Sequence, residues 1–443
     1  MASGRRPRAA SRRRAKFIEP ALYSRPLRGQ AIRVEPSEID LTDLARWRDG
    51  FPHEVFRWLR REAPVWWHPV TETTPDGVGF WVVSRHADVL RVLLDPEIFS
   101  SVGGGERKRG GTTLADTAGA GIMLNMMDDP RHRRIRELIH RGFTPRRVGD
   151  LEANLRARSV AILEPVAERG ACEFVREVAR ELPLQAICML LGVPQEDRGM
   201  LCDWVDQGLE HADREVPGSK QASADANASL TRYGAELIAK KRVRPGDDVL
   251  SAVIHAELPS EDPPRLGDDE LLYFFLLLIA AGSETTRKAI AGGLLALMQN
   301  PDEMARLWAN AAEFLPTAIE EFVRWSTPSV YKRRTATREV ELHGQKLRPG
   351  DKVTSWEMSA NRDERVFRDP FRFDVARDPN PHLAFGQGVH YCLGANLARL
   401  EIRVMFEELI SRFAGFEPTG PHSWTRDTRL FGLKSLPVRA LSR

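Results

Sequence analysis

A single cysteine, Cys392, stands in the stretch FGQGVHYCLG (residues 385–394), two residues after His390 and just ahead of an apolar, helix-forming segment, ANLARLEIRVMFEELISRF. A cysteine at the mouth of a helix meets outward-pointing backbone N–H groups and the positive end of the helix dipole. That environment favours a thiolate, which is a nucleophile or a metal ligand. Gly386 and Gly388 let the backbone turn tightly against something flat, and Phe385 offers a ring to lie against it. Three roles compete for the sulfur: a buried structural thiol, a zinc ligand, or the axial thiolate of a haem iron. No second Cys or His pair stands nearby at zinc spacing.

Two further groups of residues carry chemistry. Residues 281–286 read Ala-Gly-Ser-Glu-Thr-Thr in the middle of an apolar run. A carboxyl buried there is costly and needs a reason. Either Glu284 is salt-bridged to Arg287 or another base, or Glu284 and Thr285 act as an acid–alcohol pair that moves protons through water. In DDPRHRRIRELIHRGFTPRRV (128–148), His132 and Arg136 are four apart and share one helix face. Most arginines of this segment suit an exposed basic face, whereas His132 and Arg136 suit an anion. Glu321 and Arg324, three apart, can pair on a helix.

Taken together, F-G-x-G-x-H-x-C-x-G, A-G-x-[DE]-T-T, H-x-x-x-R and E-x-x-R resemble the cytochrome P450 family in order and separation, over nearly everything after residue 40. The chain has Glu284 where many relatives carry Asp. The resemblance implies a mainly α fold with a small β lobe: one triangular domain (31–443) whose long central helix crosses over the cofactor. It implies haem b with O2 as co-substrate, Cys392 as iron ligand, and His132, Arg136, Arg334 and His390 around the propionates. Phe385, Gly386, Gly394 and Ala281 would line the cofactor, Glu284 and Thr285 would relay protons, and Glu321–Arg324 would be a buried structural pair. Ala281, Val330, Tyr331 and Phe431 are the pocket candidates. The implied reaction is monooxygenation of a bulky hydrophobic substrate, with electrons from ferredoxin and an NAD(P)H-dependent ferredoxin reductase. GFWVVSRHADV, RGFTPRR and AGSETTR look most like the bacterial subgroup that oxidises sterols and branched lipids. Tailoring of a macrolide or cyclic peptide, peroxide-driven oxygenation, and a non-catalytic haem-thiolate sensor are the rival outcomes.

These residues need elements to position them. Residues 52–63 and 85–96 have helical spacing, and PVWWHP (64–69) and GFWVVS (79–84) read as a hairpin. A Gly-rich stretch, 102–121, reads as a surface excursion or a pocket wall. From 151 to 258 the pattern is mostly helical, with 210–228 a weakly ordered join. Residues 268–300 predict one helix, about 50 Å long at ~1.5 Å per residue, with a local break at the Gly–hydroxyl cluster. Strands follow around Gly344 and Pro349-Gly350, a loop-rich meander over 360–383, and a terminal hairpin over 429–438.

With 443 residues and 42% hydrophobic content the chain has ample material for a core. Seven of its Lys and Arg stand among the first 16 residues without an acid, so a net +3 overall leaves the remainder at −4. The tail (1–30) reads as solvated and peripheral, with no apolar core of a signal peptide. The longest apolar run, 271–281, is 11 residues, too short to span a bilayer. Four scattered cysteines suit a reducing cytoplasm rather than a disulfide framework, and nothing points to nucleic acid. Deleting residues 1–16 is expected to leave haem content per mole of protein unchanged in the pyridine haemochrome assay; a loss of haem would show that the tail is not peripheral.

Overall fold

Aromatic and β-branched side chains in the segments VWWH and FWVV build the first hairpin of the computed structural model, which describes residues 34–209, 219–258, 261 and 264–443. The basic tail lies outside the described residues. Strand β1 (Val65–His68) pairs antiparallel with β2 (Phe80–Val83), Val65 facing Val83 and His68 facing Phe80. Helix α1 (His53–Glu62) precedes the hairpin and α2 (His86–Leu94) follows it, both within two residues of the expected bounds. Strands β3 (Phe99–Ser100), β4 (Lys332–Ala336) and β5 (Lys352–Ser355) complete a sheet in the order β1-β2-β5-β4-β3. Residues 102–123 contain no helix or strand beyond a bridge between Gly104 and Arg107.

The rest is mainly helical: α3 (Arg131–His140), α4 (Glu181–Leu190), α5 (Arg198–Leu209), α6 (Ser219–Val243), α7 (Asp268–Gln299), α8 (Ala311–Ser326) and α9 (Ala395–Arg412) carry most of what matters for the site. The expected loose join divides in two. Residues 210–218 lie outside the described residues, while 219–228 are the first turns of α6, where alternate alanines favour helix and Ser223 Oγ donates to Gly208 O at 3.0 Å.

α7 crosses the molecule as 32 residues, buried along both halves. Its first turn is closed by the Glu270 carboxylate, which accepts the Gly267 N–H at 2.9 Å. The predicted break at 281–286 is absent. Ser283 Oγ donates to Ile279 O at 2.7 Å and Thr285 Oγ1 to Ala281 O at 2.8 Å. The hydroxyls share carbonyls that already accept within the helix, so the ladder runs on.

The expected C-terminal hairpin is also corrected. Leu433–Ser435 pairs with Ser423–Trp424, while Pro437–Ser442 joins Ala171–Glu173 and Phe413–Pro418 in a separate three-stranded sheet. Only Leu436 separates the two strands, too little chain for a hairpin turn. Among the described residues no helix is long and apolar enough to cross a membrane.

Glu321 and Arg324 of α8 are both 0% exposed and joined by two bonds of 2.7 Å. Arg377 Nε and the Asp374 N–H also reach the Glu321 carboxylate, and Arg324 donates to the carbonyls of Asn361 and Pro370. The pair therefore fastens the irregular segment 361–380, which precedes the cysteine loop, to a rigid helix. Removing one partner strands a buried charge, at a cost of about 3–5 kcal/mol. Glu321→Ala is expected to lower the thermal midpoint by several degrees, followed by circular dichroism; an unchanged midpoint would deny the pair this role.

Candidate active site

The glycines of the cysteine loop adopt the conformations that only glycine takes easily. Gly386 and Gly388 both have φ +71°, and a Cβ on Gly388 would meet Leu93 O at 2.8 Å. The turn they make returns the Cys392 N–H to Phe385 O at 2.8 Å. The Gly394 N–H is aimed at the sulfur, and Lys332, Arg136 and Arg399 add positive charge around it. Burial nevertheless outweighs these and pushes the thiol up from its ordinary value. The helix mouth alone does not secure a thiolate; a bound cation would. Cys392 is open by surface area yet surrounded closely enough to be desolvated. Both hold because the surface it shows is that of an internal space. Phe385 backs the loop, with the Arg399 guanidinium 4.5 Å from its ring centre. Gly394, at the start of α9, has open space where a Cβ would stand.

Helix α7 has an exposed stretch of its own. Ala280 and Ala281 are exposed in the middle of an otherwise buried helix, and Thr285, one turn on, is half-buried on the Ala281 side. Gly282 lets α7 close on α4, where a Cβ would meet Ile187 at 3.0 Å.

The basic residues meet at a third point. The His132 and His390 rings are 4.2 Å apart. Arg334, 3% exposed, donates to the Arg333 carbonyl at 3.0 Å. Arg136 donates to the Tyr391 carbonyl, beside Cys392. His390 Nε2 lies 3.1 Å from Ser101 Oγ, and His132 Nδ1 lies 3.2 Å from Asp129. The buried His132 Nε2 has no partner. Burial, then Arg334 and the neighbouring basic groups, hold His390 well below the usual imidazole range; His132 is lowered by burial and by Arg136. Such a cluster is the setting for an anion. An open sulfur, an exposed stretch of α7, an orphaned imidazole nitrogen and a cluster of buried basic groups together fit haem: Cys392 would hold the iron, and His132, Arg136, Arg334 and His390 would hold the propionates.

Other expected residues fall elsewhere. Glu284 and Thr285 are neighbours that face different surroundings. Glu284, 2% exposed, pairs with Lys288 at 3.0 Å and with Arg287. Burial raises its pKa, but Lys288 and Arg287 outweigh that and hold the carboxyl below its ordinary value. Arg287 continues to Asp206 at 2.9 Å, and Asp206 to Arg180 at 2.6 Å, around a small cavity with room for about one water. Val330, Tyr331 and Phe431, expected in the pocket, are 0%, 2% and 0% exposed. They belong to an aromatic core in which Tyr331 meets Trp356 at 4.9 Å and Phe431 meets Trp47 at 5.6 Å. Of the pocket candidates only Ala281 meets open space. Sequence reasoning missed Ala280, which no spacing rule separates from its apolar neighbours. It also missed Ser101, nearly 300 positions from the histidine it touches.

The comparisons with known proteins agree with this geometry. The cytochrome P450 family model matches residues 219–440. Over 408 residues the chain is 54% identical to the putative cytochrome P450 126 of Mycobacterium tuberculosis, covering 91% of this chain and 97% of that protein. It is 39% identical to the methyl-branched lipid omega-hydroxylase of the same organism (91% and 95% covered) and 38% identical to its steroid C26-monooxygenase (91% and 93%). The solved Mycobacterium marinum cytochrome P450 CYP268A2 in complex with pseudoionone superposes with a TM-score of 0.83 at 34% identity, covering 92% of this chain and 99% of that one.

Cys392→Ser protein reconstituted with haem is expected to lose the strongly red-shifted Soret band of the reduced carbon monoxide complex. Retention of that band would remove Cys392 as the iron ligand.

Proposed function

The chain belongs to the cytochrome P450 family and is a haem-containing monooxygenase of that family, and from this premise we propose that it oxidises a bulky, branched hydrophobic molecule of the lipid, terpenoid or steroid kind. The observation that carries the reading is the pair Ala280–Ala281. Two small apolar side chains open the middle of α7 while Leu276 and Leu277, one turn earlier, are only partly covered. A bulky apolar ligand is the natural occupant of such a wall. The names of the methyl-branched lipid and steroid relatives and the pseudoionone complex support the same class.

Haem b, when bound, supplies the activation of O2 that lets one oxygen atom enter a C–H bond. This chain's residues do the rest. His132, Arg136, Arg334 and His390 orient and neutralise the acidic edge of the cofactor. The Gly394 N–H and the surrounding cations steady negative charge on the Cys392 sulfur. The Thr285 hydroxyl lies on the open side of α7 and can hold a proton-bearing water there. Glu284 is held ionised by Lys288 and Arg287, and must exchange one of these contacts to pass a proton to that water.

Electrons enter singly from a ferredoxin and its NAD(P)H-dependent reductase, because the sequence carries neither a dinucleotide fingerprint nor clustered cysteines. The basic surface around α3 is smaller than its sequence suggests. Arg131 and Arg134 are paired with Glu261, Arg133 with Asp129 and Arg147 with Asp247. Steering of an acidic donor by this face is accordingly modest. A reducing cytoplasm keeps the four free thiols in their observed state.

An optical titration separates the readings. A methyl-branched fatty acid, a sterol and an acyclic terpenoid ketone are expected to include at least one ligand that shifts the haem from low to high spin, and that is then oxidised with ferredoxin, reductase and NADPH. A shift confined to macrolides or cyclic peptides would replace the substrate class. Binding without NADPH-dependent product would favour a sensor, and faster turnover with peroxide would favour a peroxygenase.

A further inference from the structure

Lys332 opens β4 and points to the same side of the strand as Arg334, two residues on. The pairing of β4 with β5 sets it opposite Ser355, and Glu357 follows two residues later at the start of the short helix Glu357–Ala360. Lys332 Nζ thus stands 3.3 Å from Glu357 Oε1, which also accepts from Ser355 Oγ at 3.1 Å. The Glu357 carboxyl is fully buried. Among the described residues, Lys332 Nζ and Glu357 Oε2 complete no hydrogen bond, so the pair is held by charge.

An acid in this place needs a reason. The neighbouring basic cluster serves an anion, and a carboxylate beside it works against that by attracting Arg334. Burial pushes the Glu357 carboxyl up from its ordinary value, and Lys332 is the foremost group opposing that shift. On its other side Lys332 meets the cysteine loop. A Cβ on Gly386 would meet Lys332 Cε at 3.8 Å, so the lysine stem lies along the loop. Gly386 follows Phe385, whose carbonyl holds the Cys392 N–H. Of the cations acting on the Cys392 sulfur, Lys332 is foremost, ahead of Arg136 and Arg399. It is also the least committed of the three. Arg399 bonds twice to Glu320, at 2.6 and 2.8 Å, and Arg136 donates to the Tyr391 carbonyl. Lys332 therefore brings a compact point charge to the loop, with Glu357 behind it.

We propose that Lys332 and Glu357 form a fixed charge pair that sets the one-electron reduction potential of the haem bound through Cys392, the lysine raising it and the glutamate limiting the rise. A cation beside a centre that gains an electron favours the reduced form, and an anion favours the oxidised form. The lysine end of the pair lies on the cysteine loop and the carboxylate end lies toward Arg334, so the lysine has the larger effect. Two residues that only packed the edge of the sheet would not act with opposite signs.

The test is a spectroelectrochemical titration of the substrate-free, low-spin holoenzyme. Lys332→Met is expected to lower the equilibrium constant for reduction about tenfold, which is about 59 mV for one electron. Glu357→Gln keeps an oxygen for the ammonium and removes only the charge of the acid, and is expected to raise that constant about threefold. The double variant is expected to fall between the two. Lys332→Arg, which keeps the charge, is expected to stay within about twofold of wild type. All four are expected to keep the red-shifted Soret band of the reduced carbon monoxide complex, since Cys392 is untouched. Potentials that move in the same direction in the Met and Gln single variants, or that do not move, would overturn the proposal, as would Lys332→Arg falling as far as Lys332→Met. Should Lys332→Met not retain haem, Lys332→Gln takes its place, and Glu357→Gln at the wild-type potential decides against the pair in either case. The readout rests on haem held through Cys392 and needs no substrate, so a failure of the proposed substrate class leaves it standing.

Discussion

The site depends on an unbalanced concentration of positive charge. Arg136 and His132 on α3, Arg334 on β4 and His390 in the cysteine loop converge in a buried region whose acids are committed elsewhere. Asp128 is occupied by Ser100 and Ser101, and Asp129 by His132 and Arg133. Burying cations is unfavourable unless anions accompany them. Lowered histidine pKa values express that cost, since an imidazole in this setting sheds its proton rather than add to the repulsion. A dicarboxylate cofactor held there would remove the imbalance and tie together three segments that are remote in sequence.

α7 serves two environments with one helix. Positions 280, 281 and 285 face the open space, whereas 284, 287 and 288 face a buried ionic network reaching α4 and α5 through Asp206 and its neighbours. Successive residues on a helix differ by about 100°. Glu284 and Thr285 can therefore be adjacent in sequence yet sit in settings of different dielectric. The carboxyl is thus kept ionised among cations, one residue from a half-buried hydroxyl on the open side of the helix.

Much of this was legible in the sequence, because the determinants are local. The cysteine loop is specified by glycines at positive φ and a single thiol, the long helix by an apolar run with a capping acid, and the β1–β2 hairpin by two short runs of aromatic and β-branched residues separated by a turn-rich link. The Glu321–Arg324 pair was legible as a spacing and, through the family resemblance, as a buried structural pair, though its hold on 361–380 was not. What escaped has a long-range cause. Val330, Tyr331 and Phe431 read as pocket because they are apolar and near the right motifs, but all three are buried, Tyr331 against Trp356 and Phe431 against Trp47. The expected break in α7 failed because a serine or threonine hydroxyl can share a helical carbonyl instead of competing for it, a choice decided by the packing of α4 against Gly282. The terminal hairpin failed because Pro437–Ser442 finds two distant partner strands.

Arg333 and Arg334 are adjacent on β4, and adjacent residues of a strand project to opposite faces, so the strand presents Arg334 to the basic cluster and Arg333 to Asp116, 3.0 Å away. Arg334 also donates to the Arg333 carbonyl, which couples the two through the backbone. β4 is held by β5 on one side and β3 on the other, and β3 runs directly into Ser101. Residues 102–123 are thus registered to the basic cluster through Ser100, Ser101 and Asp128 at their ends, and to β4 through the Arg333 N–H, which donates to Thr112 O at 3.1 Å, as well as through charge.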